Sequence, residues 1–463
     1  MLERTWKDTA LDLLLAVLVV TSLFLSLRVW STPAELLSPP PNAPSVQPQP
    51  PALDRQMPEI LRPEMILVKP QPPVAEAGEA AAPQGTTMAS LHAGAVPYRQ
   101  AWPRIRAVLT GFRPSGGGAF QVDQIPDRLR QGAWVQLQLP TSMVLHEWVD
   151  HWQWNIPFLR NGSIRVDRVT FYLSEPGAIY LSNPAGQTLY LSDLSEADRN
   201  ELAAVIKGLD PALFVPYRPL ETKELYVRVQ PDLLVPVMDA MPKAQARILF
   251  PDERHEEARY FPDLSVVRQI DEKEARSLTD GQRLLRFTST GMLEYRTADI
   301  SDATFAPDRQ RALAMTQEWV GSRGGWPQEL VLRRFVQQPG RARFEFDYRS
   351  GGPFPVESVG SAVQVHVSAQ RVVYFSRYPA FVETLFSPEK QPIITPEAAI
   401  QRARDQVMGL LTEQVRSVHP AYMVRPVPGD RWELEPAWVI QAGDIRVYVP
   451  AVVGREKSPV AVR

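Results

Sequence analysis

A chain of 463 residues, 44% hydrophobic and 22% charged, is too long for one ordinary core and reads as several folded domains. Lys+Arg 50 against Asp+Glu 52 leaves a formal net charge of -2, without the basic excess that nucleic-acid binding requires, so no nucleic acid is expected among the partners. The absence of cysteine excludes disulfides, thiolate metal sites, iron–sulfur ligation and cysteine nucleophiles.

From the N-terminus, Leu13 to Leu27 carry no charge, with Asp12 and Arg28 at the edges and Trp6 and Trp30 where interfacial aromatics anchor a helix. Residues 11–30 then have the length of a transmembrane helix, about 20 residues at 1.5 Å rise. Arg4 and Lys7 precede the run, and no basic residue follows Arg28 until Arg55. The positive-inside rule places residues 1–10 in the cytoplasm and the bulk of the chain outside, as a single-pass protein of the cell membrane. Val29-Trp30-Ser31 is a poor cleavage site, which favours a retained anchor over a removed signal peptide. Ala16, Ser22 and Ser26 include a small-xxx-small spacing, so Thr21, Ser22 and Ser26 are the expected partner contacts within the bilayer. The plain alternative is that such residues simply occur in membrane helices.

Residues 31–97 are rich in Pro, with Ala, Gln and Glu between, and are expected to form a disordered spacer. A first α+β domain is expected over 98–219. Ala101 to Thr110 reads as a helix, and Trp134 to Leu139 alternates as a half-buried strand. Val166 to Leu173, Ala178 to Leu181 and Thr188 to Leu191 read as further strands, and Ser195 and Glu196 open a helix to Leu209. A central domain over 220–299 carries strands at Lys223 to Val229, Leu284 to Thr288 and Met292 to Tyr295. Within it, Phe250 to Tyr260 reads as irregular and Lys273 to Ser277 as helix-like, ahead of an Asp280-Gly281 turn.

Two α+β modules follow, over 300–393 and 394–463. Each begins with a helix, Asp308 to Val320 and then Thr395 to about Leu411, the second opened by Thr395-Pro396-Glu397. Strands follow the first helix near Glu329 to Val336, Arg341 to Tyr348, Ala362 to Val367 and Val372 to Arg377. The second is followed by strands near Gln414 to Met423, Arg431 to Gln441 and Ile445 to Val449. The fold class is therefore α+β, with antiparallel sheets and helices packed on one face.

Motifs that carry chemistry are few. His146-Glu147-Trp148-Val149-Asp150-His151 begins like the zinc-protease HExxH, but its second histidine falls one residue late, about 140° round a helix from the first. His92, His255, His366 and His419 have no ligand spacing, and Gly116 to Gly118 reads as a loop. Glu253, Glu256 and Glu257 beside Arg254, His255 and Arg259 read as a solvated charged face. No catalytic residue, metal site or cofactor is expected.

Several stretches together resemble the YycH family. Leu15 to Trp30 followed by Pro33 resembles its anchor, and Trp134 to Pro140 with Val166-Asp167-Arg168-Val169 resembles its strand pattern. Leu278-Thr279-Asp280-Gly281-Gln282-Arg283-Leu284 and Met292-Leu293-Glu294-Tyr295 resemble its turn and the strand after it. Arg343-Phe344-Glu345-Phe346-Asp347-Tyr348, leading to Gly352-Pro353-Phe354-Pro355-Val356, resembles a stretch shared with the sister protein YycI. The long Pro-rich spacer departs from the family pattern. The resemblance implies an extracytoplasmic regulator of a sensor histidine kinase of the YycG/WalK type that controls cell-wall metabolism in Gram-positive bacteria, acting with a YycI-like membrane protein. A stalked cell-wall- or lipid-binding module, an envelope enzyme and a ligand-free scaffold are the competing expectations.

Overall fold

In a computed structural model the described residues are 62–71 and 86–462, apart from 114–119, 123, 145–151, 153–164, 184–186, 223–224, 231–232, 250–252, 299–307, 324–329, 349–353, 359–360, 369–370, 379, 426–430, 444 and 455–457. The anchor expected over 11–30, with Thr21, Ser22 and Ser26, lies outside them, as do the His146–His151 motif and Gly116 to Gly118. No helix among the described residues is long and apolar enough to cross a membrane.

The first sheet collects β1 (Met65–Lys69), β2 (Thr86–His92), β3 (Phe120–Val122), β4 (Trp134–Val144), β5 (Arg165–Tyr172), β6 (Ala178–Ser182), β7 (Thr188–Asp193) and β8 (Phe214–Pro219). β9 (Arg228–Val229) leaves it, and β10 (Leu234–Pro236) returns as an edge, giving the order β10-β8-β2-β1-β4-β5-β6-β7-β3. Alternation sorts side chains by face. Ile66, Val68, Val135, Leu137, Val169 and Phe171 point into the main core with α1 (Val96–Gly111) and α3 (Glu196–Lys207). Trp134, Tyr172, Tyr180 and Tyr217 lie in a smaller cluster with Leu129 of α2 (Asp127–Gln131). α3 starts where the sequence says it should, because Ser195 accepts a hydrogen bond from the Asp198 amide at 3.1 Å.

β1 and β2 correct the expectation of a spacer running to residue 97. β1 pairs antiparallel with β2 (Met65↔His92) and with β4 (Lys69↔Trp134), in the middle of the nine-stranded sheet. The apolar run of β1 is five residues long and set among prolines, too short to show a period, so the surrounding composition hides it.

β11 (Ala240–Leu249) belongs to a second sheet, and α4 (Glu253–Tyr260) follows it. That helix replaces the irregular stretch expected at 250–260. Its charged residues do not all face solvent, for Glu256 turns inward beside the buried Tyr260. The third sheet begins with β12 (Arg268–Asp271), β13 (Ala275–Thr279), β14 (Arg283–Thr288) and β15 (Leu293–Thr297). β13 takes the place of the helix-like 273–277, since pairing on both sides (Ser277↔Ile270 and Ser277↔Arg286) overrides its local preference.

After α5 (Arg309–Ser322) come β16 (Leu330–Gln338), β17 (Arg341–Tyr348), β18 (Val356–Ser358), β19 (Val363–Ser368), β20 (Val372–Arg377) and β21 (Ala380–Pro392). The third sheet runs β12-β13-β14-β15-β20-β19-β17-β16, so it draws strands from both sides of residue 300. Its core is continuous with that of the first sheet. α6 (Pro396–Gln406) precedes β22 (Gln414–Arg425), β23 (Arg431–Ala442), β24 (Ile445–Pro450) and β25 (Val460–Val462). The second sheet has the path β18-β22-β23-β11-β21, with β24 on β23, β25 on β24 and β9 on β22. Thus β11, before residue 250, completes a sheet made largely of the last hundred or so residues. β18 and β9 run parallel to β22, and every other pairing is antiparallel. Trp432, Trp438 and Tyr422 fill a separate core under α6, with the Trp438 indole donating to the Ile394 carbonyl at 2.8 Å.

Candidate functional site: a buried ionic junction between the sheets

Charged side chains converge where the three sheets approach one another. Glu64 precedes β1 and is pinned by backbone on both sides: its amide donates to the Gln138 carbonyl and its carbonyl accepts from Ala93. The carboxylate is thereby aimed at β24, where Arg446 donates through Nη2 to Glu64 Oε2 at 3.0 Å. The same guanidinium reaches Glu357 Oε2 of β18 at 3.3 Å through Nη1 and Gln441 Oε1 of β23 at 3.0 Å through Nε. All three nitrogens of one buried cation are thus occupied, joining the first sheet to the second.

Glu357 is the hub on the acidic side. Its side chain is 1% exposed and accepts from the Tyr448 hydroxyl at 3.0 Å, while His419 Nε2 lies 3.4 Å from its other oxygen. Ser417 holds the opposite ring nitrogen of His419 at 3.2 Å, and His92 of the first sheet stands with its ring centroid 6.1 Å away. From the third sheet, Arg333 of β16 pairs with Asp347 of β17 at 3.4 Å and lies over the Tyr448 ring at 5.8 Å. A flanking pair, Arg416 to Asp167 at 2.6 Å, ties β22 to β5, and Arg168 next to it donates to Gln230.

The electrostatics follow from burial with partners. Desolvation works against the charged form of Arg446, but the carboxylates of Glu64 and Glu357 more than offset it, and its pKa is raised well above that of a free guanidinium. Burial raises the Tyr448 phenol strongly, helped by the Glu357 charge, so it remains a hydrogen-bond donor. The arrangement is built of paired, buried charges. What it can do is hold three sheets in one geometry and release them together, because Glu357 is shared by partners on β22 and β24 and Arg446 by carboxylates on two sheets.

Of the histidines singled out from the sequence, His92 and His419 meet here; His366 lies on β19, and the His255 side chain is outside the described residues. Glu256 and Glu257, read as a solvated face, instead pair inward with Arg377 at 3.1 Å and Arg276 at 2.5 Å. The Val166-Asp167-Arg168-Val169 motif lies at the junction, and Asp347 of the aromatic β17 motif supplies one of its carboxylates. Sequence reading missed Arg446, Glu357 and Glu64. One signal existed: Arg446 interrupts the otherwise apolar Ile445–Pro450 strand, and every residue of that strand is buried. No group of three or more His, Asp or Glu side chains among the described residues could hold a metal ion.

Three mainly antiparallel sheets with helices on their faces, tied together by a buried ionic junction, define an α+β protein. This is the fold of YycH. The crystal structure of YycH from Bacillus subtilis matches with a TM-score of 0.56 at 15% identity, covering 85% of this chain and 96% of that one. The resemblance carried by the sequence motifs and the likeness of the folds therefore agree. An uncharacterized protein from Eubacterium rectale matches at TM-score 0.30 and 11% identity, over 50% of this chain and 86% of that chain. The C-terminal domain of Bacillus megaterium YpeB matches at 0.28 and 16%, over 47% and 99%. No protein-family model and no curated protein matches the chain.

Proposed function

We propose that this chain is a membrane-anchored extracytoplasmic regulator that modulates a sensor histidine kinase of the YycG/WalK type, together with a YycI-like membrane protein. The observation that supports this reading most is the YycH fold extending over 85% of the chain. A regulator acts by binding one state of its target better than another, and it transmits a contact only if its own domains move as a unit. The Arg446–Glu64–Glu357 junction supplies that unity in the folded region. The segment 11–30 supplies the route to the kinase through the bilayer, with Thr21, Ser22 and Ser26 as its contact face.

The test is co-purification from detergent-solubilised membranes. The intact chain is compared with a version in which residues 11–30 are replaced by an unrelated transmembrane segment, so both remain anchored and fully folded outside. Capture of a sensor kinase or a YycI-like protein by the intact chain, lost on the swap, is the expected result. Equal capture by both would move the contact to the outer domains, and capture by neither would overturn the reading.

A further inference from the structure

Away from the junction, a cleft of about 400 Å³ opens between the end of α5 and the third sheet. This is within the range of small-molecule sites, though near its lower end. Its lining includes three arginines from three elements: Arg283 opening β14, Arg323 capping α5 and Arg371 just before β20. One carboxylate, Glu318, shares the wall. Most arginines of this sheet face a carboxylate, as Arg286 does Glu272, Arg296 Glu294 and Arg377 Glu256. Arg323 and Arg371 do not: among the described residues neither has an acidic partner. Arg371 donates only to the Ala298 carbonyl, at 2.6 Å.

Arg323 is held as though for use. Its guanidinium lies over the Trp319 ring at 4.2 Å and the Tyr260 ring at 5.8 Å. Nη1 donates to Ser322 Oγ at 3.0 Å, whereas its buried Nε has no hydrogen-bond partner among the described residues. Burial lowers the pKa of this group, with Tyr260 and Tyr295 opposing, which is the signature of a cation short of counter-charge. Arg283 is fixed by Asp280, whose Oδ1 also accepts from the Gln282 and Arg283 amides at 2.9 and 2.7 Å. The Thr279-Asp280-Gly281 turn and the Tyr295 strand, two motifs without a catalytic reading, thus build this wall.

We propose that the cleft is a binding site for an oxyanion, carboxylate or phosphate, carried on a compact body about the size of a monosaccharide. Arg323 and Arg371 supply the charge-assisted hydrogen bonds. Trp319 and Tyr295 supply an aromatic surface for the apolar edge of the ligand. The proposal goes beyond the kinase reading and depends on none of its parts.

The experiment is isothermal titration calorimetry of the full chain in detergent at low ionic strength, with D-glucuronate, glycerol 3-phosphate and neutral D-glucose as probes. Saturable binding of one or both anions, with none of glucose, is expected, and which anion binds separates a carboxylated sugar from a phosphate ester. Arg323→Ala and Arg371→Ala should each weaken binding on the order of tenfold, and Glu318→Gln should strengthen it. Arg371 is exposed, so its variant serves even where Arg323→Ala fails to fold. No saturable binding of either anion, equal binding of glucose, or anion binding indifferent to Arg371→Ala would overturn the proposal.

Discussion

Arg446 and Glu64 are 382 positions apart in sequence and 3.0 Å apart in space, one at the start of the first sheet and one in the last long hairpin. Each charge offsets part of the other's burial cost, because an unpaired ion in an apolar interior costs several kcal/mol. The contact therefore closes the molecule end to end. Glu64 is positioned for it by β1, which lies between β2 and β4.

Replacing Arg446 by Ala should leave the Glu64 and Glu357 carboxylates buried together, destabilising the chain by about 3–5 kcal/mol. Replacing all three at once, by Arg446→Met, Glu64→Leu and Glu357→Leu, should recover much of that loss, since the desolvation penalty goes with the charges. Urea denaturation of the three forms checks both statements. A triple variant no more stable than Arg446→Ala alone would mean the junction is held by packing and not by charge compensation.

β1 supports a second expectation. Val68 is fully buried, so Val68→Asp should cost more than about 4 kcal/mol and abolish the cooperative transition seen by circular dichroism. Removal of residues 1–97 should do the same, while removal of residues 1–51 should leave the sheet intact. A folded, monodisperse product of the 97-residue deletion would show that β1 and β2 are dispensable.

How much could be read beforehand follows the range of the interactions. Caps are local, and Ser195, Asp308 and Thr395 all cap helices at the positions their sequences indicate. β17 was legible because its apolar residues alternate without interruption, and β20 because it is a short β-branched and aromatic run. β21 was not: its second half, with Pro388, Glu389 and Lys390, lacks an apolar face, and pairing to β11 defines it. Membership of sheets was hidden for the same reason, since β11 and β23 meet across nearly two hundred residues. The junction was hidden most completely. Its Glu64 lies in a stretch whose prolines mask two strands, and its Arg446 becomes informative only once β24 is known to be buried on both faces.

His366 provides a pH-dependent prediction. Burial pushes its pKa down to about 4, aided by the cations Arg343 and Arg341 on β17 and Arg296 on β15, with Tyr374 of β20 against the ring. Between pH 4 and 6.5 the unfolded chain binds a proton that the folded chain does not, so stability rises with pH across that window. It is complete above the unfolded value and is lost as pH falls. Allowing for partial solvent exposure, the contribution is roughly 1–2 kcal/mol. Chemical denaturation at pH 4.5 and 7.5 should show that His366→Gln removes this part of the slope.

The turn at Asp280-Gly281 separates backbone strain from packing. Gly281 has φ of 87°, and a Cβ added there would meet nothing within 4 Å. Gly281→Ala should therefore cost about 1 kcal/mol through conformation alone. Gly281→Asn should cost less, because Asn tolerates the left-handed region better. Equal losses for Ala and Asn in denaturation midpoints would point to a contact in place of strain.

Arg218 and Glu397 form a further tie, between the first sheet and the helix that packs on the second. The guanidinium of β8 meets the carboxylate in the first turn of α6 through two bonds, at 2.7 and 2.8 Å. Desolvation alone would raise the Glu397 pKa, but the hydrogen bonds and charge of Arg218 outweigh it and hold the carboxyl below its ordinary value. The pair's contribution is therefore present above the unfolded carboxyl pKa and fades as pH falls through the folded one. The helix N-terminus adds to it, since a negative charge there is favoured. Both groups are partly solvated, so a double-mutant cycle of Arg218→Ala and Glu397→Ala should give a coupling of about 1 kcal/mol at neutral pH. That coupling should shrink when the cycle is repeated near pH 3. A coupling independent of pH would show that the two side chains interact through the packing of β8 on α6 and not through their charges.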